Sequence, residues 1–297
     1  MIRAGIVDFD TSHVEQFTMR FNHVKLPQDQ WVDGVQVVAG LPGVPAPGNE
    51  ERAAGYIKNL ESWGVKMVKT PQELMKAVDV VLVESLEGGK HLERARPFIE
   101  AGMKVWVDKP FADNVRDAEA MAELAAKRGA KLMAGSSLRY VLEVQELLAK
   151  TAETGKVLSA VVYSPSKPLN EVPALINYGC HSVELLFGIL RAGCVSVSSV
   201  QTKNLQTVTG KWADGRAGCV LGVQEGKCGF GFTAFCENAT VMKQIDFTYG
   251  YRELLKQMAK FFQTGEPPIP ISESVEVVKF IMAGLASAKA EGKTLPL

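Results

Sequence analysis

The chain has 297 residues, 46% of them apolar and 22% charged, the make-up of a globular protein with a sizeable buried core, and its length sets two domains as the starting expectation. Lys plus Arg equals Asp plus Glu at 33 each, so no bulk charge draws the chain to nucleic acid or an anionic membrane, and a small-molecule ligand is expected. Five cysteines without a CxxC pair, an amino end too briefly apolar for a signal peptide and no stretch of membrane-spanning length make a cytoplasmic protein the expectation.

In chain order, short Val/Ile-rich runs alternate with longer amphipathic segments up to about residue 135. Strands are predicted at Ile2 to Val7, Val35 to Ala39, Lys66 to Val68, Asp79 to Val83, Lys104 to Val107 and Lys131 to Met133. Helices are predicted between them, the pattern of a doubly wound parallel sheet. Thr70-Pro71-Gln72-Glu73 reads as a capping box with proline at the first helical position, and Gly102 follows a helix that ends near Glu100. Residues 40–49 are a Pro/Gly-rich connection after the second strand.

Beyond residue 136 the pattern changes. One helical stretch, Val141 to Thr151, precedes strand-like runs at Leu158 to Tyr163, Val195 to Val200, Gly218 to Val223 and Gly229 to Phe235. Helices at Tyr251 to Gln263 and Glu273 to Ala290, separated by the proline-rich Glu266 to Pro270, close the chain. The expected fold class is therefore α/β: a doubly wound parallel domain over 1–135, then an α+β domain over 136–297 with a large, mostly antiparallel sheet.

Certain local sequences carry more than secondary structure. They are Gly102-Met-Lys-Val-Trp-Val-Asp108-Lys109-Pro110, Asn177-Tyr-Gly179-Cys-His181-Ser-Val-Glu184, and the late Gly265-Glu-Pro-Pro. In this order they resemble the glucose-fructose oxidoreductase, inositol dehydrogenase and rhizopine catabolism (Gfo/Idh/MocA) family, in which a strand ends in Glu-Lys-Pro and a later helix carries Asp-x-Gly-x-His-x-x-Asp. The resemblance implies a Rossmann-like first domain, NAD or NADP as cofactor, and a second domain that binds substrate and builds a homodimer or homotetramer through its exposed sheet face. It implies hydride transfer between the nicotinamide and a secondary alcohol of a sugar, inositol or related polyol.

Carried onto this chain, the resemblance makes Lys109, His181 and Asn177 the catalytic candidates and suggests a cis Lys109–Pro110 bond. Lys109 lies at the end of the fifth strand, where open parallel sheets bind ligands. A histidine ordinarily titrates near pH 6.5, so His181 can take an alcohol proton while hydride leaves. Asn177 and His181, four apart, are expected on one helix face. Asn177 and Asp108 stand where the family has aspartate and glutamate, and an amide orients without exchanging protons. Arg139, Tyr163 and Tyr178 are the substrate-binding candidates, with Trp212 a further aromatic that could line the pocket. The bland alternatives are a solvated Lys109, a hydrogen-bonded core His181 and aromatics that merely pack.

The first strand-to-helix turn departs from the dinucleotide pattern. Where G-x-G-x-x-G lets backbone approach a pyrophosphate, this chain reads Asp8-Phe9-Asp10-Thr11-Ser12-His13, and no acidic residue ends the second strand, which runs on through Gly40 and Leu41. Ser12 to Glu15 reads as a capping box that would occupy the helix amides. Three explanations stay open. The cofactor is held in an altered way, with Phe9, Asp10, Thr11, Ser12, His13, Gly40, Leu41, Ser85, Asp108, Lys109 and Pro110 as its candidate contacts; it has been lost, leaving a non-redox polyol-binding or regulatory protein; or Asp8, Asp10 and His13 hold a metal for lyase or hydrolase chemistry. No metal is the leading expectation, because a D-x-D-x-x-H string shows too few ligands to argue from.

Overall fold

A computed structural model describes residues 1–168 and 172–297. In chain order its strands and helices begin with β1 (Ile2–Val7), α1 (His13–Phe21), β2 (Val35–Leu41), α2 (Glu50–Ser62), β3 (Lys66–Met67), α3 (Pro71–Ala77), β4 (Val80–Val83), α4 (His91–Glu100), β5 (Lys104–Val107), α5 (Val115–Arg128) and β6 (Lys131–Ala134). The chain continues with α6 (Leu142–Ala149), α7 (Thr151–Thr154), β7 (Val157–Pro165), α8 (Ala174–Asn177), α9 (Cys180–Leu190) and β8 (Cys194–Gln201). It closes with β9 (Leu205–Trp212), β10 (Ala217–Val223), β11 (Gly231–Cys236), β12 (Thr240–Gln244), α10 (Gly250–Thr264), α11 (Ile271–Lys289) and β13 (Leu295–Pro296).

Two compact units emerge: Met1–Gly135 with Tyr251–Ser272, and Ser136–Gly250 with Glu273–Leu297. The carboxy-terminal segment 251–272, assigned from sequence to the second domain, thus groups with the first. Its amphipathic helix α10 buries Leu254, Leu255, Met258, Phe261 and Phe262. Tyr251 packs edge-on against Phe17 of α1, and the Lys104 ammonium donates to the Phe262 carbonyl.

In the first unit the six strands run in the order β3-β2-β1-β4-β5-β6, all parallel. Every residue of β4 and most of β1 and β5 are buried, which is why these strands read as unbroken apolar runs rather than as alternating ones. The order reverses between β2-β1 and β4-β5, so ligands are expected beyond the carboxyl ends of β1, β4 and β5. Helix caps follow the local sequence: the Thr70 hydroxyl accepts from the Glu73 amide while Glu73 reaches the Lys69 amide, and Asn114 caps α5. The expected Ser12 box is absent. Ser12 makes no side-chain cap, and its neighbour Thr11 accepts the His13 amide instead.

The second unit carries a seven-stranded sheet, β12-β11-β7-β10-β9-β8-β13. It is antiparallel except for the β10–β7 pair, which is parallel. Alternate residues of β7 (Ala160, Val162, Ser164), β9 (Val208) and β10 (Val220) point into a core shared with α9 and α11. The intervening positions, among them Val161, Tyr163, Leu221, Phe235 and Met242, lie on the other face and stay half-buried or exposed.

Candidate functional site

In the first unit the residues expected to meet a ligand gather beyond β1, β4 and β5, but many are already committed. Asp8, at the first glycine position, adopts the left-handed region that glycine favours, with φ 64°. Its Oδ2 accepts from the Ser85 hydroxyl at 2.5 Å and from Arg94 Nε at 3.1 Å. Its Oδ1 lies so close to Gly43 that a Cβ there would fall 1.7 Å from it. Asp10 accepts the amides of Leu86 and Ala46, pinning the proline-rich connection over the turn. Phe9 is buried and fills the space against Gly40, where a Cβ would fall 2.4 Å from the ring. Leu41 contributes its carbonyl to the Asp8 amide.

These contacts bear on the alternatives left open for the turn. Among the described residues no group of His, Cys, Asp and Glu is disposed to hold a metal, because Asp8, Asp10 and His13 are turned to separate partners. Nor are the two carboxylates loose charges facing a phosphate: Asp8 is paired with Arg94 and Asp10 with two amides. The amino end of α1, uncapped by Ser12, retains the partial positive charge that favours an anion. The start of α1, with the hydroxyls of Thr11 and Ser12 beside it, therefore fits an anionic group such as a dinucleotide phosphate.

A second cluster centres on Asp108, at the end of β5. His13 Nδ1 lies 2.5 Å from Asp108 Oδ2, and the Lys109 amide donates to Oδ1 at 2.6 Å. Burial works to raise the Asp108 carboxyl, but His13 and Lys109 outweigh it, so the group is held below its ordinary range and stays ionised. Beneath it Glu84 is fully buried with neither oxygen hydrogen-bonded. Burial, reinforced by the Asp108 charge, pushes the Glu84 carboxyl well above its usual value and so favours its neutral form. The Lys109–Pro110 peptide is cis, as the resemblance implied, and the Lys109 ammonium, though its charge acts on Asp108, makes no hydrogen bond or ion pair among the described residues.

In the second unit the expected single helix across Asn177 and His181 is broken: α8 stops at Asn177, and α9 begins at Cys180 after Tyr178 and Gly179. Gly179 allows the two helices to meet closely, since a Cβ on it would fall 2.8 Å from the Leu175 Cα. Asn177 consequently does not share a helix face with His181; its amide donates to the Lys167 carbonyl. His181, half-buried, places Nδ1 2.6 Å from the Ser136 hydroxyl. Tyr178 stands edge-on to it at 4.9 Å, with Phe230 at 6.3 Å. Ser136 and Phe230 were not singled out from the sequence, and neither carried a local signal.

Three other expectations change. Arg139 is sealed in the core, bonded to Glu184 at 2.7 Å and to Glu273, and so serves the second unit's interior rather than a substrate. Burial opposes its charge, yet the two carboxylates win and raise the guanidinium above its ordinary value. Tyr163 belongs to the outward row of β7 and lies across Gly231 of β11, on the sheet face opposite α9 and His181. Strand alternation puts it there. Trp212 is buried against Phe187 and Phe280, with its indole N–H on the Arg191 carbonyl.

Comparison with known proteins gives this geometry a context. Residues 41–136 match the Gfo/Idh/MocA family, described as an oxidoreductase family with an NAD-binding Rossmann fold. The match covers about a third of the chain. It is the span that runs from the end of β2 through Asp108-Lys109-Pro110 to Ser136.

Among curated proteins, YceM of Salmonella typhimurium, assigned to the oxidoreductases, is 32% identical over 124 residues, 41% of this chain and 39% of that protein. The dehydrogenase aclE of Aspergillus oryzae is 39% identical over 85 residues, 28% of this chain and 23% of that protein. The matched segments thus span well under half of either relative. Among solved structures, the myo-inositol dehydrogenase of Lactobacillus casei, in complex with NAD(H) and myo-inositol, superposes with a TM-score of 0.80 at 15% identity. That match covers 100% of this chain and 97% of the other, and it shows a shared fold along the whole chain.

Proposed function

We propose that the chain is an NAD(P)-dependent oxidoreductase that moves hydride between a nicotinamide and a secondary alcohol of a sugar, inositol or related polyol. The observation that carries this reading is the Asp108-Lys109-Pro110 junction at the end of β5, inside the matched family segment, with a Lys109 ammonium that makes no hydrogen bond or ion pair among the described residues. The dinucleotide supplies the hydride acceptor. Thr11, Ser12 and the start of α1 hold its phosphates, and Lys109 binds and orients a substrate hydroxyl.

His181 is the proton acceptor in this reading. Its contact with the Ser136 hydroxyl fixes the ring, while Tyr178 and Phe230 supply aromatic walls suited to the C–H faces of a polyol. Asn177 helps to fix the approach to α9 by tying α8 to Lys167. We assign the working form as a homodimer or homotetramer joined through the exposed sheet face of the second unit. Following nicotinamide absorbance with a panel of inositols and sugars tests the activity. Turnover should appear with at least one polyol and fall about 100-fold or more in Lys109→Ala and in His181→Ala. Full activity in both variants would contradict the assignment.

A further inference from the structure

His13 replaces the third glycine of the dinucleotide turn, and its surroundings are those of an oriented imidazole rather than of a filler. The ring is stacked on Phe17 at 4.9 Å and held edge-on by Tyr251 at 5.4 Å, so its plane is set by packing. Its Nδ1 faces Asp108, which is itself fixed by the Lys109 amide. Because an ionised carboxylate only accepts, Nδ1 must carry the proton, and in the neutral ring Nε2 then presents a lone pair. Nε2 has no partner among the described residues, and it is not a sealed buried atom; the side chain keeps 11% exposure.

We infer that His13 is a ligand-binding residue whose Nε2 accepts a hydrogen bond from a sugar-type hydroxyl, with Asp108 as the positioning residue that fixes its tautomer. The hydroxyl comes from the ribose of the nicotinamide nucleotide or from the polyol, and the inference rests on the oxidoreductase reading above. A purely structural tie between α1 and β5 would need only Nδ1. The variant His13→Asn separates the two roles, because an asparagine amide nitrogen, like Nδ1, is attached to Cγ and can still donate to Asp108, while nothing replaces Nε2.

The test compares wild type, His13→Asn and Asp108→Asn as full chains, by NADH fluorescence titration, by calorimetric titration with myo-inositol in the presence of NAD, and by thermal midpoint. Asp108→Asn makes Nδ1 the acceptor and turns Nε2 into a donor. We expect His13→Asn to keep a midpoint near that of wild type while losing roughly tenfold in affinity for one probe, with a similar loss in Asp108→Asn. A loss in the NADH arm identifies the ribose as the source, and a loss confined to the myo-inositol arm identifies the polyol. Wild-type affinity for both probes in a folded His13→Asn overturns the inference alone. Failure of wild type to bind either probe overturns the oxidoreductase reading and this inference with it.

Discussion

Glu84 and Asp108 follow adjacent strands, yet burial and neighbours drive their protonation in opposite directions. For Glu84 the folded value lies above the unfolded one of 4.5, so its contribution to stability is complete below that pH and is lost as pH rises through the folded value. For Asp108 the folded value lies below 3.8, so its contribution is present above that pH and is lost in acid. Glu84→Gln keeps the neutral shape and removes the ionisation. Its thermal midpoint should gain on wild type as pH rises from 5 to 9, with a stability slope relieved by up to about 1.4 kcal/mol per pH unit. A constant difference between the two proteins across that range would show that Glu84 is not held protonated.

At the same scale, some residues were legible from local sequence and others were not. Lys109 and Pro110 were, because a strand end and its proline are local facts. Arg139 was not, since its partner Glu273 lies 134 residues away and the sequence could not show that two carboxylates would close around it. Arg139→Met should destabilise the protein by about 3–5 kcal/mol in chemical denaturation, because Glu184 would be left buried without a cation and Glu273 with only the longer contact to Arg191. An unchanged denaturation midpoint would count against that role.

Among elements, the parallel strands of the first unit were readable because burial on both faces makes them continuous apolar runs between helices. The second unit hid three strands, the two-residue β13 among them. In β9 (Leu205–Trp212) and β12 (Thr240–Gln244) the outward positions hold Thr, Lys and Gln, so half of each segment reads as loop. The α8–α9 break was also hidden, because the four-residue spacing of Asn177 and His181 fits one continuous helix equally well. Close packing at Gly179 marks the break, and Gly179→Ala should cost about 1–3 kcal/mol, since the added methyl meets the Leu175 backbone and the Ser166 hydroxyl. Thermal denaturation measures this, and a midpoint at or above wild type would remove the close approach from the explanation.

For the whole molecule, the outward face of the β7–β12 sheet joins Val161, Tyr163 and Leu221 to the exposed Phe235 and Met242 in one apolar surface. In the proposed homodimer or homotetramer this surface is buried between copies, and a double variant, Phe235→Lys with Met242→Lys, should shift the sedimentation coefficient to that of a monomer. A wild-type chain that sediments as a monomer would remove this part of the account.

The central claim is that a turn without glycines, with Asp8 Oδ2 held by Arg94 and Ser85 and Asp10 by backbone amides, still carries a nicotinamide dinucleotide at the start of α1. Titration of the purified chain with NADH and NADPH, followed by nicotinamide fluorescence, tests it most directly. The account predicts saturable binding of at least one of them at sub-millimolar concentration; no binding of either, by protein shown to be free of copurified cofactor, would contradict it.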